Sequence, residues 1–84
     1  MEFRGVVKAF GRCVQTLRTE RGWTLEVAAE KFGVEAAFVR RVEAARTNPS
    51  LAVIVSIATA FGLHPADLLR DPGDREETTS PHVA

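Results

Sequence analysis

The chain has 84 residues, of which 11 are basic and 11 acidic, so its formal net charge is zero. This length accommodates one domain and excludes most multidomain enzymes, and the 45% content of hydrophobic residues excludes a disordered or collagen-like chain. A single cysteine cannot form an internal disulfide, and the two histidines do not complete a zinc site with it. A small chain without such cross-links buries little surface, which favours stabilisation as a homodimer.

The first residues form no apolar signal-peptide segment, and the longest nearly apolar run, 51–63, is shorter than the roughly 20 residues that span a membrane. We therefore expect a cytoplasmic protein without membrane contact. Charge is unevenly divided, because residues 1–70 carry a net charge of +3 and residues 71–84 a net charge of −3. The acidic end is rich in Pro, Gly, Ser and Thr, which predicts a folded domain over 1–70 and a disordered acidic tail over 71–84.

Apolar residues recur every three or four positions and no stretch alternates with period two, so the sequence predicts an all-α fold. The first helix is expected to run from near the N-terminus to about Arg21, where Gly22 stops it. Thr24 offers a hydroxyl cap to a second helix of about eight residues that ends at Gly33. The predicted buried face of this second helix contains Val27, Ala28 and Phe32.

A third helix is expected from near Glu35 to about Ala44, with an inward face of Phe38, Val39 and Val42. Ser50 then caps a fourth helix, Leu51–Phe61, that Gly62 closes. Because this helix is apolar nearly all round, we expect it at the centre of the core.

The last predicted helix begins at His64-Pro65, since proline suits the first helical position and histidine is expected to cap it. Asp67 suits the positive N-terminal end of this helix, and Leu68 and Leu69 are predicted to be buried. The fold is thus predicted to contain five helices.

The second and third predicted helices are short and are joined by a few residues that include a glycine, which is typical of a helix-turn-helix. Eight short motifs also fall in one order along the chain: Phe10-Gly11, Leu17-Arg18, Arg21-Gly22-Trp23-Thr24, Gly33-Val34, Val42-Glu43, Asn48-Pro49-Ser50-Leu51, Ile57-Ala58 and Phe61-Gly62-Leu63. With this order the chain resembles the phage-repressor and Cro-like helix-turn-helix family (Xre-type regulators), which includes the small controller proteins of restriction-modification systems. The resemblance covers about residues 10–70 and implies a compact lambda-repressor-like bundle of about five helices that binds double-stranded DNA, commonly as a dimer.

The resemblance implies that the second helix meets a phosphate at its N-terminus and that the third helix lies in the major groove, which is wide enough to admit it. Thr24 is then the cap near the phosphate. Leu25 occupies a position where the family often has glutamine, and leucine cannot donate that hydrogen bond. The outward positions of the third helix that match the family's base readers are Ala36, Ala37, Arg40 and Arg41.

The two arginines are the only polar candidates among these readers. An arginine bound bidentately to guanine contributes about 1 to 3 kcal/mol of discrimination, and an alanine methyl can pack on a thymine methyl. Alternatively, Arg40 and Arg41 are solvated surface charges, or they pair with Glu35 or Glu43. Glu35 stands where the family usually has Ser or Thr, and we interpret it as a carboxylate that interacts favourably with the helix N-terminus, worth about 0.3 to 1 kcal/mol.

The resemblance also implies that Arg46, Thr47 and Asn48, which follow the third helix, lie along the DNA backbone, where each side chain can donate a hydrogen bond to phosphate. A solvated loop charge is the alternative for Arg46. Ala45 stands where the family usually has a glycine in a left-handed conformation. We expect either a different turn or a backbone strain of about 1 kcal/mol or more.

Arg18 and Glu43 match positions that form a partly buried ion pair between the first and third helices of relatives. The resemblance therefore implies a structural pair that holds the recognition helix in orientation. Cys13 is expected to fill a gap in the core, and Trp23 to pack over the joint between the first two helices.

We therefore predict a sequence-specific DNA-binding transcriptional regulator that binds a two-fold-related operator as a homodimer. No Gly-rich phosphate loop, paired carboxylate site or metal-ligand spacing occurs, so no enzyme activity, cofactor or metal is predicted. The alternative is a protein-interaction module whose surface contains Leu25, Ala36, Ala37 and Phe38. The predicted dimer surfaces are Leu63, Leu68 and Leu69, or else Phe3, Val6 and Val7.

Overall fold

The computed structural model describes residues 3–69, which form five α-helices and contain no strand. The helices are α1 (Phe3–Glu20), α2 (Leu25–Phe32), α3 (Ala36–Glu43), α4 (Leu51–Phe61) and α5 (Pro65–Leu69). The predicted all-α fold of five helices is confirmed. Within these residues no helix combines the length and the apolar character that crossing a membrane requires. The predicted acidic tail, 71–84, lies outside the described residues.

Three helices begin with the predicted polar caps. The Thr24 hydroxyl accepts a hydrogen bond from the Val27 N–H at 3.1 Å, and the Ser50 hydroxyl accepts one from the Val53 N–H at 3.2 Å. Nδ1 of His64 accepts the N–H two residues later at 3.0 Å, at the start of α5. Caps of the Ser and Thr type are each worth about 0.5 to 2 kcal/mol, so these side chains define where α2 and α4 begin.

The core lies where α1 packs against α3 and α5 and where α2 packs against α3 and α4. Three predicted core residues differ, and one of them is Leu69, which is half-buried at the end of α5. Val27 is 37% exposed, because the inward face of α2 is formed by its neighbours and Val27 lies at the edge of that face. Phe38 is half-buried at the edge of α3 rather than inside. The most deeply buried large side chains are Phe10, Ile57, Leu68, Val14, Val39 and Val42.

The expectation that α4 lies at the centre of the core is wrong. Only Ile57, Ala58 and Phe61 of this helix are buried, whereas Leu51 is 71% exposed and Val55 is 44% exposed. Helix α4 packs on α2 and α5, which cover one side of it. The other side is an apolar helix face on the surface of the described domain.

Helices α1 and α3 are in close contact at Gly11, which is buried in the middle of α1. A Cβ atom at this position would overlap the carbonyl oxygen of Val42 and would lie 3.1 Å from that of Glu43. The absent side chain therefore lets α1 pass directly over the end of α3, which sets where the recognition helix sits.

Candidate nucleic-acid interface

Helix α3 packs its apolar face against the core, and its opposite face is exposed to solvent. Val39 and Val42 are buried, and Ala36 is half-buried against the core. The exposed side chains Ala37, Arg40 and Arg41 form what we call the recognition face. One methyl side chain and two long cations make this face narrow enough to enter a DNA groove.

Both arginines of the recognition face are exposed. The Arg41 guanidinium lies 5.6 Å from the centre of the Phe38 ring, a cation–π contact within α3. Among residues 3–69 the only salt bridge joins Arg18 and Glu43, so the local pairing of Arg40 or Arg41 with a carboxylate is not formed. Their hydrogen-bond donors point into solvent and can meet another molecule.

Arg18 and Glu43 join α1 to the last residue of α3. Nε of Arg18 donates to Oε2 of Glu43 at 2.6 Å, and Nη2 donates to Oε1 at 3.0 Å. A third donor of Arg18, Nη1, binds the carbonyl oxygen of Trp23 at 2.9 Å. The hydrogen bond to Glu43 and its charge raise the pKa of Arg18, although burial opposes this shift. The guanidinium thus stays charged and holds α1, the α1–α2 joint and α3 together.

The start of α2 offers a weaker site for phosphate than its N-cap suggests. The first intrahelical bond runs from the Ala28 N–H to the Thr24 carbonyl at 2.9 Å, so the N–H groups of Leu25 and Glu26 precede it. Leu25 is half-buried against the core, where an apolar side chain stabilises the domain. Glu26, however, places an exposed carboxylate in the first turn, which repels a phosphate.

A carboxylate also stands at the start of α3. Glu35 is the N-cap residue, and its side chain makes no capping hydrogen bond, in contrast to those of Thr24 and Ser50. Its contribution to the helix is therefore limited to the favourable position of a negative charge. No group of three or more potential metal ligands occurs within residues 3–69.

The turn after α3 is a Schellman motif built on an alanine. The Ala45 N–H donates to the Val42 carbonyl at 3.0 Å, and the Arg46 N–H donates to the Arg41 carbonyl at 2.8 Å. Ala45 has a φ of 59°, the left-handed conformation that glycine adopts more readily. This turn directs Arg46, Thr47 and Asn48 away from the helix, with Arg46 and Asn48 exposed and Thr47 half-buried.

We expect Ala45→Gly to raise the free energy of unfolding by about 0.5 to 1 kcal/mol, since relief of left-handed strain exceeds the added entropy of the unfolded chain. Urea unfolding followed by circular dichroism would measure it. Ala44→Gly, one residue earlier at a φ of −86°, is the matched control and should lower stability. Equal losses in the two variants would contradict a strained Ala45.

Three side chains near this unit, one half-buried and two exposed, make ring contacts within the domain. Trp23 lies in the α1–α2 joint and stacks on Phe61 at the end of α4, with ring centres 5.3 Å apart and planes 5° from parallel. The Arg21 guanidinium lies 4.9 Å from the Phe61 ring, and the Lys31 ammonium lies 4.9 Å from the Trp23 ring. Trp23 is therefore an internal packing residue.

Two further cations lie near the predicted backbone contacts and were not identified from the sequence. Arg4 and Lys8 of α1 line an open cleft of about 420 Å³ together with Arg46, Thr47 and Asn48. The spacing of Arg4 and Lys8, four residues apart on one helix, shows that they share a face. That this face meets the loop after α3 becomes clear only from the structure, in which α1 crosses the end of α3 at Gly11.

The fold and the α2–α3 unit define a helix-turn-helix protein. Residues 9–71 match the family model described as a helix-turn-helix domain, and the chain belongs to this family. The resemblance to Xre-type regulators is confirmed.

Among solved structures, the chain is similar to the restriction-modification controller protein C.AhdI from Aeromonas hydrophila, with 34% identity, coverage of 74% of this chain and 94% of that chain, and a TM-score of 0.70. It is also similar to the hypothetical transcription factor NHTF from Neisseria, with 25% identity, coverage of 95% and 90%, and a TM-score of 0.83. The clp gene regulator ClgR from C. glutamicum is 28% identical, with coverage of 76% and 83% and a TM-score of 0.69. No curated protein sequence matches the chain.

Proposed function

We propose that residues 1–70 form the DNA-binding domain of a cytoplasmic, sequence-specific transcriptional regulator, with α3 in the major groove. The observation that carries this proposal is the recognition face, where Arg40 and Arg41 are exposed and form no ion pair within the described residues. Guanidinium groups in this position can donate to O6 and N7 of guanine. The similarity to a controller protein and to gene regulators supports the same function.

Selection of bound duplexes from a random pool tests the proposal directly. We expect an enriched motif with two half-sites whose centres lie about one helical turn apart, as for other dimeric helix-turn-helix proteins. A pool that remains random after several rounds, at a salt concentration where the protein binds DNA, would overturn sequence-specific binding. Repeating the binding across salt concentrations separates base readout from backbone attraction.

We further propose that the two copies of a homodimer meet through the exposed face of α4. The dimer surface predicted around Leu63, Leu68 and Leu69 is weakened by the structure, because Leu68 is fully buried. Helix α4 contains no charged residue along its whole length, and its outer side presents Leu51 and Val55. An uncharged helix face on a small domain is typical of a surface that another chain covers.

We expect Leu51→Glu to convert the dimer into a monomer, because a carboxylate in an apolar interface is costly to desolvate. The fold should tolerate it, since Leu51 is 71% exposed and a carboxylate at the start of α4 is electrostatically favourable. Light scattering at micromolar concentration measures the mass. Thr16→Glu, an equal charge change at an exposed position of α1, is the control and should remain dimeric. Equal masses for both variants and the parent chain would refute this interface.

If Arg41 reads a base and Arg46 contacts the DNA backbone, replacing each with alanine should change DNA binding in a different way. Arg41→Ala should cost about 1 to 3 kcal/mol on the selected operator and relax one base position. Arg46→Ala should weaken binding to all duplexes alike and flatten the slope of log K against log salt by about one unit. Competition binding with single-base variants of the operator distinguishes the two, and identical behaviour would contradict the division into reader and backbone contact.

A protein-interaction module is the second candidate. It is favoured by the carboxylates of Glu26 and Glu35, which stand at the starts of both helices of the unit, and by the half-buried apolar side chains beside them. Chemical-shift mapping with a duplex at low salt discriminates the candidates. Undisturbed resonances of Arg40, Arg41 and Arg46 would support the interaction module.

A further inference from the structure

The open cleft between α1 and the loop after α3, which we call the basic cleft, results from the close approach of the two helices. Arg4, Lys8 and Gly11 follow one another at helical spacing and share one face of α1. At Gly11 this face touches the backbone at the end of α3. The preceding two turns of α1 therefore extend past that end and face the loop at 45–48, which forms the other wall.

The lining of the basic cleft suits an anion with several acceptor oxygens. Arg4, Lys8 and Arg46 contribute three positive charges, and among residues 3–69 no carboxylate lines the cleft. Within the described residues none of the three cations forms an ion pair. Thr47 and Asn48 add a hydroxyl and an amide donor, so hydrogen bonds can accompany the charge attraction.

The basic cleft begins where the recognition helix ends. The Arg46 N–H binds the carbonyl of Arg41 at 2.8 Å, which joins the cleft to the recognition face through one turn of backbone. When a helix lies in the major groove of DNA, the sugar–phosphate backbone that borders the groove passes close to the end of that helix. By contrast, the start of α2 carries the Glu26 carboxylate. Of these two surfaces, the basic cleft is the one that attracts phosphate.

We propose that the basic cleft binds a phosphate of the DNA backbone beside the groove that α3 occupies, and that Arg4 and Lys8 of α1 contribute to this contact. The inference rests on the proposed function and extends it, because it assigns DNA contacts to a helix outside the helix-turn-helix unit. Each cation on a phosphate releases condensed counterions, so the cleft must increase the salt dependence of binding.

The test compares two double variants of the full chain that have the same net charge. Arg4→Ala/Lys8→Ala removes the α1 wall of the basic cleft, and Arg12→Ala/Lys31→Ala removes two exposed charges that do not line it. We expect the cleft variant to flatten the slope of log K against log salt by about one to two units on random and selected duplexes alike, with an unchanged base preference. The control variant should keep the parent slope.

Ethylation interference locates the contact on the DNA. Ethylation of one phosphate flanking each half-site should weaken binding of the parent chain and of the control variant, and should have a smaller effect on the cleft variant, which retains only Arg46 of the three cations. Equal slopes for the two variants, or a cleft variant that binds DNA more tightly, would overturn the proposal; the second result would assign the cleft to an acidic protein segment. A parent chain that binds no duplex at low salt would overturn the proposed function itself, which is a separate and recognisable outcome.

Discussion

Replacing Glu43 by alanine should lower the free energy of unfolding by about 3 to 5 kcal/mol, the largest loss we expect from one substitution, because it strands a partly buried guanidinium. The side chains of Arg18 and Glu43 are only 13% and 8% exposed, so water cannot fully replace the lost carboxylate. Urea unfolding followed by circular dichroism measures the loss. Glu30→Ala, at an exposed position of α2, is the control and should change stability by less than about 0.5 kcal/mol.

The double variant Arg18→Leu/Glu43→Leu separates the charge effect from simple loss of contact. It removes both charges, so it should be less destabilised than the sum of the single variants. Its DNA affinity should nevertheless stay reduced, since leucines do not bind the Trp23 carbonyl and do not fix the angle between α1 and α3. Additive losses, or an affinity that recovers together with stability, would contradict an orienting role of the pair.

Gly11→Ala should destabilise the domain by about 1 to 3 kcal/mol or more, because its methyl group would overlap the Val42 carbonyl oxygen, a backbone atom that cannot rotate away. Alanine is otherwise the better helix former, so the sign of the change is informative. Gly5→Ala, at an exposed position of the same helix, should instead raise stability by about 0.5 to 1 kcal/mol.

Gly11→Ala should also weaken DNA binding by more than its loss of stability accounts for. Moving the end of α3 displaces Arg41 and the turn that follows it, so both base and backbone contacts are misplaced. Binding measured at a temperature where the variant is fully folded would show this. A variant as stable as the parent chain would indicate that α1 and α3 separate without cost and would contradict the close packing.

The ends of the helices could be predicted from the sequence because capping is a local property. Thr24 and Ser50 accept bonds from N–H groups three residues later, and Gly33 and Gly62 adopt left-handed conformations that close α2 and α4. These interactions depend on a few neighbouring residues and hardly on the rest of the fold. For Ala45 the sequence left a different turn or a strained left-handed backbone open, and the φ of 59° corresponds to the second alternative.

The burial of α4 could not be predicted in this way. Leu51 and Val55 have the same apolar character as Ile57, yet two of these side chains are exposed and one is buried. An apolar pattern shows that a helix face avoids water, but it does not show whether the same chain or a second one covers it. In a domain of this size, too few other helices remain to enclose an eleven-residue apolar helix.

The arginines of α3 could be predicted from the sequence, but the cations that α1 adds to the candidate site could not. Arg40 and Arg41 were expected because they match the positions of the family's base readers, and the buried Val39 and Val42 leave both arginines on the exposed side of α3. Arg4 and Lys8 are far in the chain from Arg40 and Arg41 and lie on a different helix. Their position beside the loop after α3 depends on where α1 and α3 cross, and this crossing point cannot be predicted from a short stretch of sequence.

The stacked Trp23 ring has a practical consequence, because it is the chain's only tryptophan. Its indole lies against Phe61 between two cations, so its fluorescence should report the integrity of the α1–α2 joint without any attached dye. Phe61 covers one face of this ring, and the Lys31 ammonium lies 4.9 Å from its centre, so the indole already has its contacts within the protein. A shift of its emission on adding a duplex would therefore signal movement inside the protein, whereas constant emission would show that the domain binds as a rigid body.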